Sequence, residues 1–403
     1  MKHDLTIIRS AARCRSYPFT RRGDFAITAF IAQNSHSSTG PLLLPAYDQQ
    51  ENQFSRAFRI LRQAIADHAF PAASIAVTHQ GKLIALQAFG RFTYESDSPI
   101  VVPETIFDLA SVSKVVATTT MAMILWERGF LDLEAAATGI VPEFCSPDDR
   151  RNAITIRMLL AHSSGLPAHE KFYLRAKTRP ELLQAVFATP LAVDPGAAVA
   201  YSDIGFILLG TALERLADAT LDEFCQAEFA RLLMSQTGFN PPPSLRATIA
   251  PTANDAMFRK RIIQGEVYDE NAYVFGGVAG HAGLFAPASD VATFAHTLLQ
   301  GGAPLVRPDT LSLFTQRQSS PPGTSRALGW DTPSSPSQSG KHFSAAAFGH
   351  LGYTGTSLWI DPERQLSVTL LTNRTWPDSS NKAITEIRPK FHDAVVEALE
   401  TSQ

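Results

Sequence analysis

The sequence predicts a mixed α/β (α+β) fold: an antiparallel sheet flanked by N- and C-terminal helices, with an all-α lobe inserted between its strands. Three observations lead there. Two short β-prone runs, 74–78 and 82–89, surround Gln80-Gly81, a hairpin signal. The middle of the chain patterns as helices. β-prone runs then return at 355–360 and 366–372 around Asp361-Pro362-Glu363-Arg364, and an amphipathic stretch from about 384 to 399 follows. The first and last thirds of the chain therefore meet in one sheet.

The elements follow in order. Phe54, Phe58, Leu61 and Ile65 recur at helical spacing, so a helix over 54–68 opens the folded domain and Pro71 closes it. An extended approach over 103–110 leads into Ser111. The stretch Val115 to Trp126 is apolar nearly all round, which places a helix in the interior, and Arg128-Gly129 ends it. Segments 155–162, 180–189, 203–218, 221–234 and 287–299 read as helices, whereas Ser, Pro and Gly clusters make 311–340 mostly loop. Gly276, Gly277, Gly280 and Gly283 fall within eight residues. That run cannot be a stable helix, and it lets backbone approach a site or another segment closely. These elements divide the chain into residues 1–52, an N-terminal arm or vestigial export segment, and a domain over 53–400. Its sheet part covers about 53–110 and 340–400, and its helical lobe about 111–310.

Composition narrows the function. The 403 residues are 45% hydrophobic and 18% charged, with a formal net charge of -3, enough apolar content for a large core. A balance so near neutral argues against a phosphate-neutralising basic stripe and gives no sign of a polybasic membrane patch. No run reaches the eighteen apolar residues of a membrane span. Cys14, Cys145 and Cys225 lie far apart without metal or disulfide-framework spacing, so they read as isolated thiols, the latter two in the core. Arg21-Arg22 before the short apolar run 25–32 permits an export signal as well as a peripheral arm. The compartment stays open, as does the oligomeric state.

Three stretches could carry chemistry. In Ser111-Val112-Ser113-Lys114 the lysine falls one helical turn after the serine, within reach to activate a hydroxyl that is otherwise a weak nucleophile. A lysine opening so apolar a helix is costly without a task or partner, and a helix start offers N–H groups to a developing oxyanion. S-x-x-K alone also arises by chance. Tyr201-Ser202-Asp203 precedes an apolar helix. A lysine-coupled phenol there can relay protons, while Ser202 or Asp203 can equally be a plain helix cap. Phe348-Gly349-His350-Leu351-Gly352-Tyr353-Thr354-Gly355 precedes a strand, where glycines let a substrate lie along the edge. His350 is either a hydrogen-bonded structural histidine or a donor toward a substrate carboxylate or phenolic oxygen. His162, His169, His281 and His350 lack H-x-H or H-x-x-x-H spacing, which argues against a metallohydrolase.

Taken together, these motifs resemble the serine β-lactamase, penicillin-binding protein and family VIII esterase superfamily, closest to class C β-lactamases and D-Ala-D-Ala carboxypeptidases. Those proteins carry S-x-x-K, Y-x-N and K-T-G in that order, matched here by Ser111–Lys114, Tyr201–Asp203 and His350–Gly352. Leu159 to Pro167, Asp361 to Arg364 and Leu371 to Arg374 resemble family segments too, and the likeness spans roughly 54–400. Val267 to Ala272 and Gly276 to Gly283 resemble a β-lactamase-related subgroup that is often exported. The resemblance implies a β-lactamase/transpeptidase-like fold and a cofactor-free serine hydrolase cleaving a small ester, amide or peptide through an acyl-enzyme. It implies Ser111 as nucleophile and Lys114 and Tyr201 as base and proton relay. Asp203, His350, Gly352, Thr354 and His281 would support the site or touch substrate, with one oxyanion N–H from Ser111 and the other near Thr354.

Two departures stand out. Asp203 replaces the usual Asn, and a carboxylate beside Lys114 would hold its ammonium form and shift the base role toward Tyr201. His350 and Leu351 replace the lysine and threonine that help hold a carboxylate, which favours an esterase over an efficient β-lactamase. A D-amino-acid peptidase or carboxypeptidase acting on cell-wall-type substrates is the alternative, and a non-catalytic penicillin-recognising scaffold is a further one.

Overall fold

The computed structural model describes residues 40–145 and 148–400; the segment 1–39, including Cys14 and the expected export signal, lies outside the described residues. The chain enters along the sheet edge as β1 (Leu44–Pro45) and continues into α1 (Ser55–Ala66), which buries Ala57, Phe58, Leu61 and Ala64. Strands β2 (Ala72–His79) and β3 (Lys82–Gly90) form the expected hairpin. Gln80 at φ +48° and Gly81 at φ +82° are both left-handed, the conformation that matches strand twist in a two-residue turn. The lobe follows, with α2 (Thr120–Glu127) and α3 (Asp203–Ala217) central and α4 (Ala288–Leu299) against the sheet. Strands β4 (Phe348–Leu351), β5 (Ser357–Asp361) and β6 (Leu366–Thr372) and helix α5 (Ile384–Glu400) complete the chain.

The strand order is β1-β3-β2-β6-β5-β4. Strands β6 and β2 pair antiparallel from Leu366–His79 to Thr372–Ala73, so the two ends of the domain do meet in one sheet. Only the two-residue β1 runs parallel to its neighbour among the strands of this sheet. Side-chain alternation divides the core. Ala73, Ile75 and Val77 point toward α1 and α5, joining Phe58, Leu61, Phe391 and Val395, whereas Ala72 and Ala76 face the larger cluster beneath α4 and the lobe. Burial on both faces explains why β2 and β6 read as nearly continuous apolar runs.

The lobe is not all-α. Phe107–Asp108, Leu284–Ala286 and Gly238–Phe239 form a small antiparallel ladder, and Ala253–Asp255 pairs with Arg261–Ile263. The glycine run before Leu284 prevents helix there, and the extended chain instead pairs with the segment leading to Ser111. Cys225 is a buried free thiol as expected, but Cys145 is disulfide-bonded and not an isolated thiol. No helix of the described residues is long and apolar enough to cross a membrane.

Candidate active site

The segment before Ser111 is held under strain. Ala110 adopts φ +47°, a region that costs energy for a residue with a Cβ. The Asp108 carboxylate accepts from the Ala110 N–H at 2.8 Å and from the Tyr268 N–H at 2.6 Å. Ser111 lies in the short 3₁₀ turn Ala110–Val112, and Lys114 starts a π-helical stretch, Lys114–Thr119, that feeds α2. Such widened turns recur at functional sites. Here β-branched Val115, Val116, Thr118, Thr119 and Thr120 crowd the turn, and the Thr120 hydroxyl donates back to the Val115 carbonyl at 3.1 Å.

Lys114 is fully buried and uses all three ammonium protons. Nζ donates to Ser111 Oγ at 2.9 Å, to Asp203 Oδ1 at 2.7 Å and to the His281 carbonyl at 2.8 Å. Burial alone would lower its pKa, but the Asp203 charge and then Tyr201 outweigh burial and hold it above the ordinary lysine range. Asp203 is correspondingly depressed: burial opposes this, and the Lys114 charge overcomes it.

The helix-cap reading of Asp203 fails. Ser202 is the N-cap of α3, its Oγ accepting from the Gly205 N–H at 3.0 Å, while Asp203 is the first helical residue. Its side chain is thereby free to face the lysine. The His281 carbonyl reaches Lys114 because the glycine run threads beside α3. A Cβ on Gly280 would lie 2.2 Å from the Phe206 carbonyl and 3.0 Å from Gly210 Cα, so only glycine permits that approach. The His281 ring itself turns away, with Nε2 2.8 Å from Asp269 Oδ1. Its contribution to the lysine is a backbone carbonyl.

Tyr201 contacts both Ser111 and Lys114 through its hydroxyl, which burial raises above the ordinary phenol range despite the lysine charge. His162, not among the expected site residues, holds its ring in place. The imidazole lies 4.6 Å from the Tyr201 ring and 5.0 Å from Phe206, and its Nδ1 accepts from the Ser202 N–H at 3.0 Å. Burial, and then the charges of Arg326 and Lys114, keep it neutral. His162 belongs to the turn-rich segment ending at Pro167, the one sequence signal that marked it.

His350 corrects one of the two expected roles. Burial lowers its pKa to about 3, and Nδ1 lies 2.8 Å from the Leu351 carbonyl. That partner can only accept, so the ring proton sits on Nδ1 and the buried, unpartnered Nε2 is an acceptor. In this tautomer His350 offers a substrate an acceptor at Nε2 and no proton. Gly352 lines the cleft as expected, and a Cβ there would strike Thr356 Oγ1 and the Leu109 carbonyl. Thr354 does not line it. It is buried, and its hydroxyl donates to the Asp108 carbonyl at 2.8 Å, tying this loop to the segment before Ser111.

Strand β4 is the last strand of the sheet, bridged on its outer side to Asp331 at Gly349. It borders a cleft of about 400 Å³ lined by Ser111, Tyr201 and His350, by Arg326 with its guanidinium 5.3 Å from the Tyr201 ring, and by Arg374, Lys382 and Arg388. A larger hollow, lined by Phe258 and Tyr273 among others, lies away from these groups. Among the described residues, Asp331 is the one carboxylate lining the cleft, 3.7 Å from Arg326. Arg374 donates to the carbonyls of Tyr353, Ser379 and Asn381, Lys382 to that of Ser379, and Arg388 to Gln338 Oε1 and the Thr356 carbonyl. Arg388 Nε is buried without a partner. Burial, and then the neighbouring Arg374 charge, pull Arg388 below the ordinary guanidinium range. The expected weakness toward carboxylates, inferred from His350-Leu351, overlooked these cations because they come from a loop and helix beyond β6.

Comparison with known proteins places this geometry. A family model described as Beta-lactamase matches residues 57–389. The N-acetylmuramyl-L-alanine amidase of Bacillus subtilis (strain 168) is 32% identical over 390 residues, covering 87% of this chain and 88% of that protein. A putative D-alanyl-D-alanine carboxypeptidase of Escherichia coli (strain K12) is 29% identical over 347 residues, covering 76% and 79%. Among solved structures, EstCE1, a hydrolase with promiscuous acyltransferase activity, superposes with a TM-score of 0.70 at 22% identity, covering 86% of this chain and 99% of that one. The class C beta lactamase from Rhodobacter sphaeroides gives 0.66 at 18%, covering 87% and 99%. The structural likenesses speak for the fold, and the family match over most of the chain carries the assignment: this protein belongs to the Beta-lactamase family and is a serine hydrolase.

Proposed function

We propose that the chain cleaves an amide or ester bond in a small substrate bearing a carboxylate, of cell-wall-peptide type, through an acyl-enzyme on Ser111. The observation that carries the reading is the cleft itself, where Ser111 and Tyr201, backed by the buried Lys114, share the lining with Arg326, Arg374, Lys382 and Arg388 against one carboxylate, Asp331. In acylation, Ser111 Oγ attacks the carbonyl and its proton passes to the Lys114–Tyr201 pair. The tetrahedral oxyanion takes N–H donors from Ser111 and from the end of β4. Along that edge Gly349 exchanges bonds with Asp331 and the Gly352 N–H turns to the Thr356 carbonyl. Strand alternation then gives the donor to Tyr353, one residue before the expected Thr354. The pair returns the proton to the leaving nitrogen or oxygen, and a water activated by the same pair releases the acid and frees Ser111.

Both members of the pair are basic in the free protein, so the proton loss that activates it belongs to the two together. Relatives named as an amidase of N-acetylmuramyl-L-alanine and as a putative D-alanyl-D-alanine carboxypeptidase support an acid-bearing amide. Ester cleavage, the reading the motifs favour, uses the same machinery and needs none of the cations. A panel decides: kcat/KM for N-acetylmuramyl-L-alanine and D-Ala-D-Ala peptides, each beside its carboxyl-amidated or esterified form, together with p-nitrophenyl esters and nitrocefin. The free acids should exceed their neutralised forms by roughly tenfold or more, the scale of one charge-assisted contact. Equal values would remove the cations from substrate choice and return the reading to a plain esterase.

A further inference from the structure

Asp203 has a second oxygen, and His169 meets it. Lys114 occupies Oδ1, while His169 Nδ1 lies 3.7 Å from Oδ2. The contact is built into the backbone. The Asp203 N–H donates to the Ala168 carbonyl at 2.9 Å and the Ser202 hydroxyl to the Pro167 carbonyl at 2.7 Å, stapling the residues before His169 onto the start of α3. Beyond it, Asn271 Nδ2 donates to the Glu170 carbonyl and Asn271 Oδ1 accepts from the Tyr173 N–H, which fixes the far side of the same loop. Side-chain exposure rises along the series, from 0% at Lys114 to 19% at Asp203 and 41% at His169. A lysine sealed from water is thus connected to solvent through one carboxylate and one imidazole.

We propose that His169 is a positioning residue that tunes Lys114 through Asp203: as imidazolium it shares the carboxylate and loosens the lysine proton, and as neutral imidazole it leaves the carboxylate to Lys114. The inference rests on the reading above, in which the Lys114–Tyr201 pair takes the Ser111 proton. The charged groups facing His169 are the carboxylates of Asp203, Asp269 and Glu270, which favour its cationic form, led by the contact with Asp203. Glu170 and Lys171 adjoin it in the chain, and Asp269 is itself engaged by His281. No bond is made or broken at His169; its effect is electrostatic, and one carboxylate cannot satisfy two cations as fully as one.

The sign follows. Without the imidazolium, Asp203 serves Lys114 alone and its proton is held harder, so kcat/KM falls at the pH values where wild-type His169 is charged and stays the same where it is neutral. His169→Gln should lower kcat/KM by roughly 3–10-fold below about pH 6 and leave it unchanged near about pH 9. In an Asp203→Asn background the same substitution should move nothing, because the carboxylate that transmits the effect is gone. Independently, NMR titration of the His169 ring in the free protein should show a pKa above the ordinary histidine value, falling back in Asp203→Asn. Asp203→Ser serves as the second background if the Asn chain does not fold. An unchanged kcat/KM below about pH 6 in His169→Gln, an equal loss in both backgrounds, or a His169 titration indifferent to Asp203 would each overturn the inference. The titration needs no turnover. A protein in which His169 and Asp203 are coupled but Ser111 is not acylated would overturn the proposed function alone.

Discussion

At the Ser111 end of the cleft every proton of the buried lysine has an acceptor, whereas farther along Arg388 keeps a buried Nε without one. Among the described residues, no carboxylate forms a salt bridge with Arg374, Lys382 or Arg388; their acceptors are carbonyls and one amide oxygen. The difference separates two tasks. A satisfied network is rigid and needs no reorganisation when charge develops on the substrate. Cations that face only neutral acceptors still have most of their electrostatic attraction to give, and an anionic ligand collects it. On the proposed reading, the lysine network serves the chemistry, and Arg374, Lys382 and Arg388 serve the choice of substrate.

Breaking the satisfied end should have the largest effect. Lys114→Met removes the group that holds Ser111, Asp203 and the His281 carbonyl together, and kcat/KM on any substrate should fall by roughly a thousandfold or more. It also strands Asp203, so thermal or urea unfolding should show a loss of about 3 kcal/mol, the cost of breaking a buried pair from one side. A smaller, selective effect should come from the far end. Arg388→Met should lower kcat/KM for a carboxylate-bearing amide by roughly 10–100-fold, the worth of one charge-assisted bond. For p-nitrophenyl acetate it should change kcat/KM less than about twofold. Equal losses on both substrates would mean that Arg388 only braces α5.

The mildest change sharpens the comparison without breaking it. Asp203→Asn keeps the shape and one oxygen acceptor but withdraws the charge that raises Lys114. The lysine then loses its proton more easily, and the acidic limb of the kcat/KM profile should move down by roughly one pH unit. The variant also leaves Lys114 buried without its counter-charge, so stability should fall, though by less than in Lys114→Met because the amide oxygen still accepts and the lysine can shed its proton. An unshifted limb would leave the lysine–carboxylate pair without a part in catalysis.

Local patterns made much of this legible. Phe54, Phe58 and Leu61 declared α1, Gln80-Gly81 declared the first hairpin, and the S-x-x-K and Y-S-D motifs named residues that the fold brings within hydrogen-bonding distance of Lys114. The glycine run announced a close backbone approach, which Gly280 makes against α3. What stayed hidden depends on contacts distant in sequence. Nothing near His162 says that Tyr201 will stack on it, and nothing near Ala168 says that Asp203 will bond to it. Arg374, Lys382 and Arg388 have no periodic relation to Ser111 and meet it only once β4, β6 and α5 are in place. The proposed oxyanion donor, Tyr353, lies one residue before the expected Thr354, in a turn whose outward amide no sequence pattern announces.

The claim on which the rest depends is that Ser111, activated by the satisfied end of the cleft, becomes covalently acylated. Labelling the protein with a fluorophosphonate probe, followed by mass spectrometry of the modified peptide, tests it without knowledge of the natural substrate. A single stoichiometric adduct should form on Ser111 and be absent in Ser111→Ala, and that variant should lose hydrolysis by at least about a thousandfold. An adduct on another residue, or a Ser111→Ala protein that keeps more than about a tenth of the activity, would contradict it.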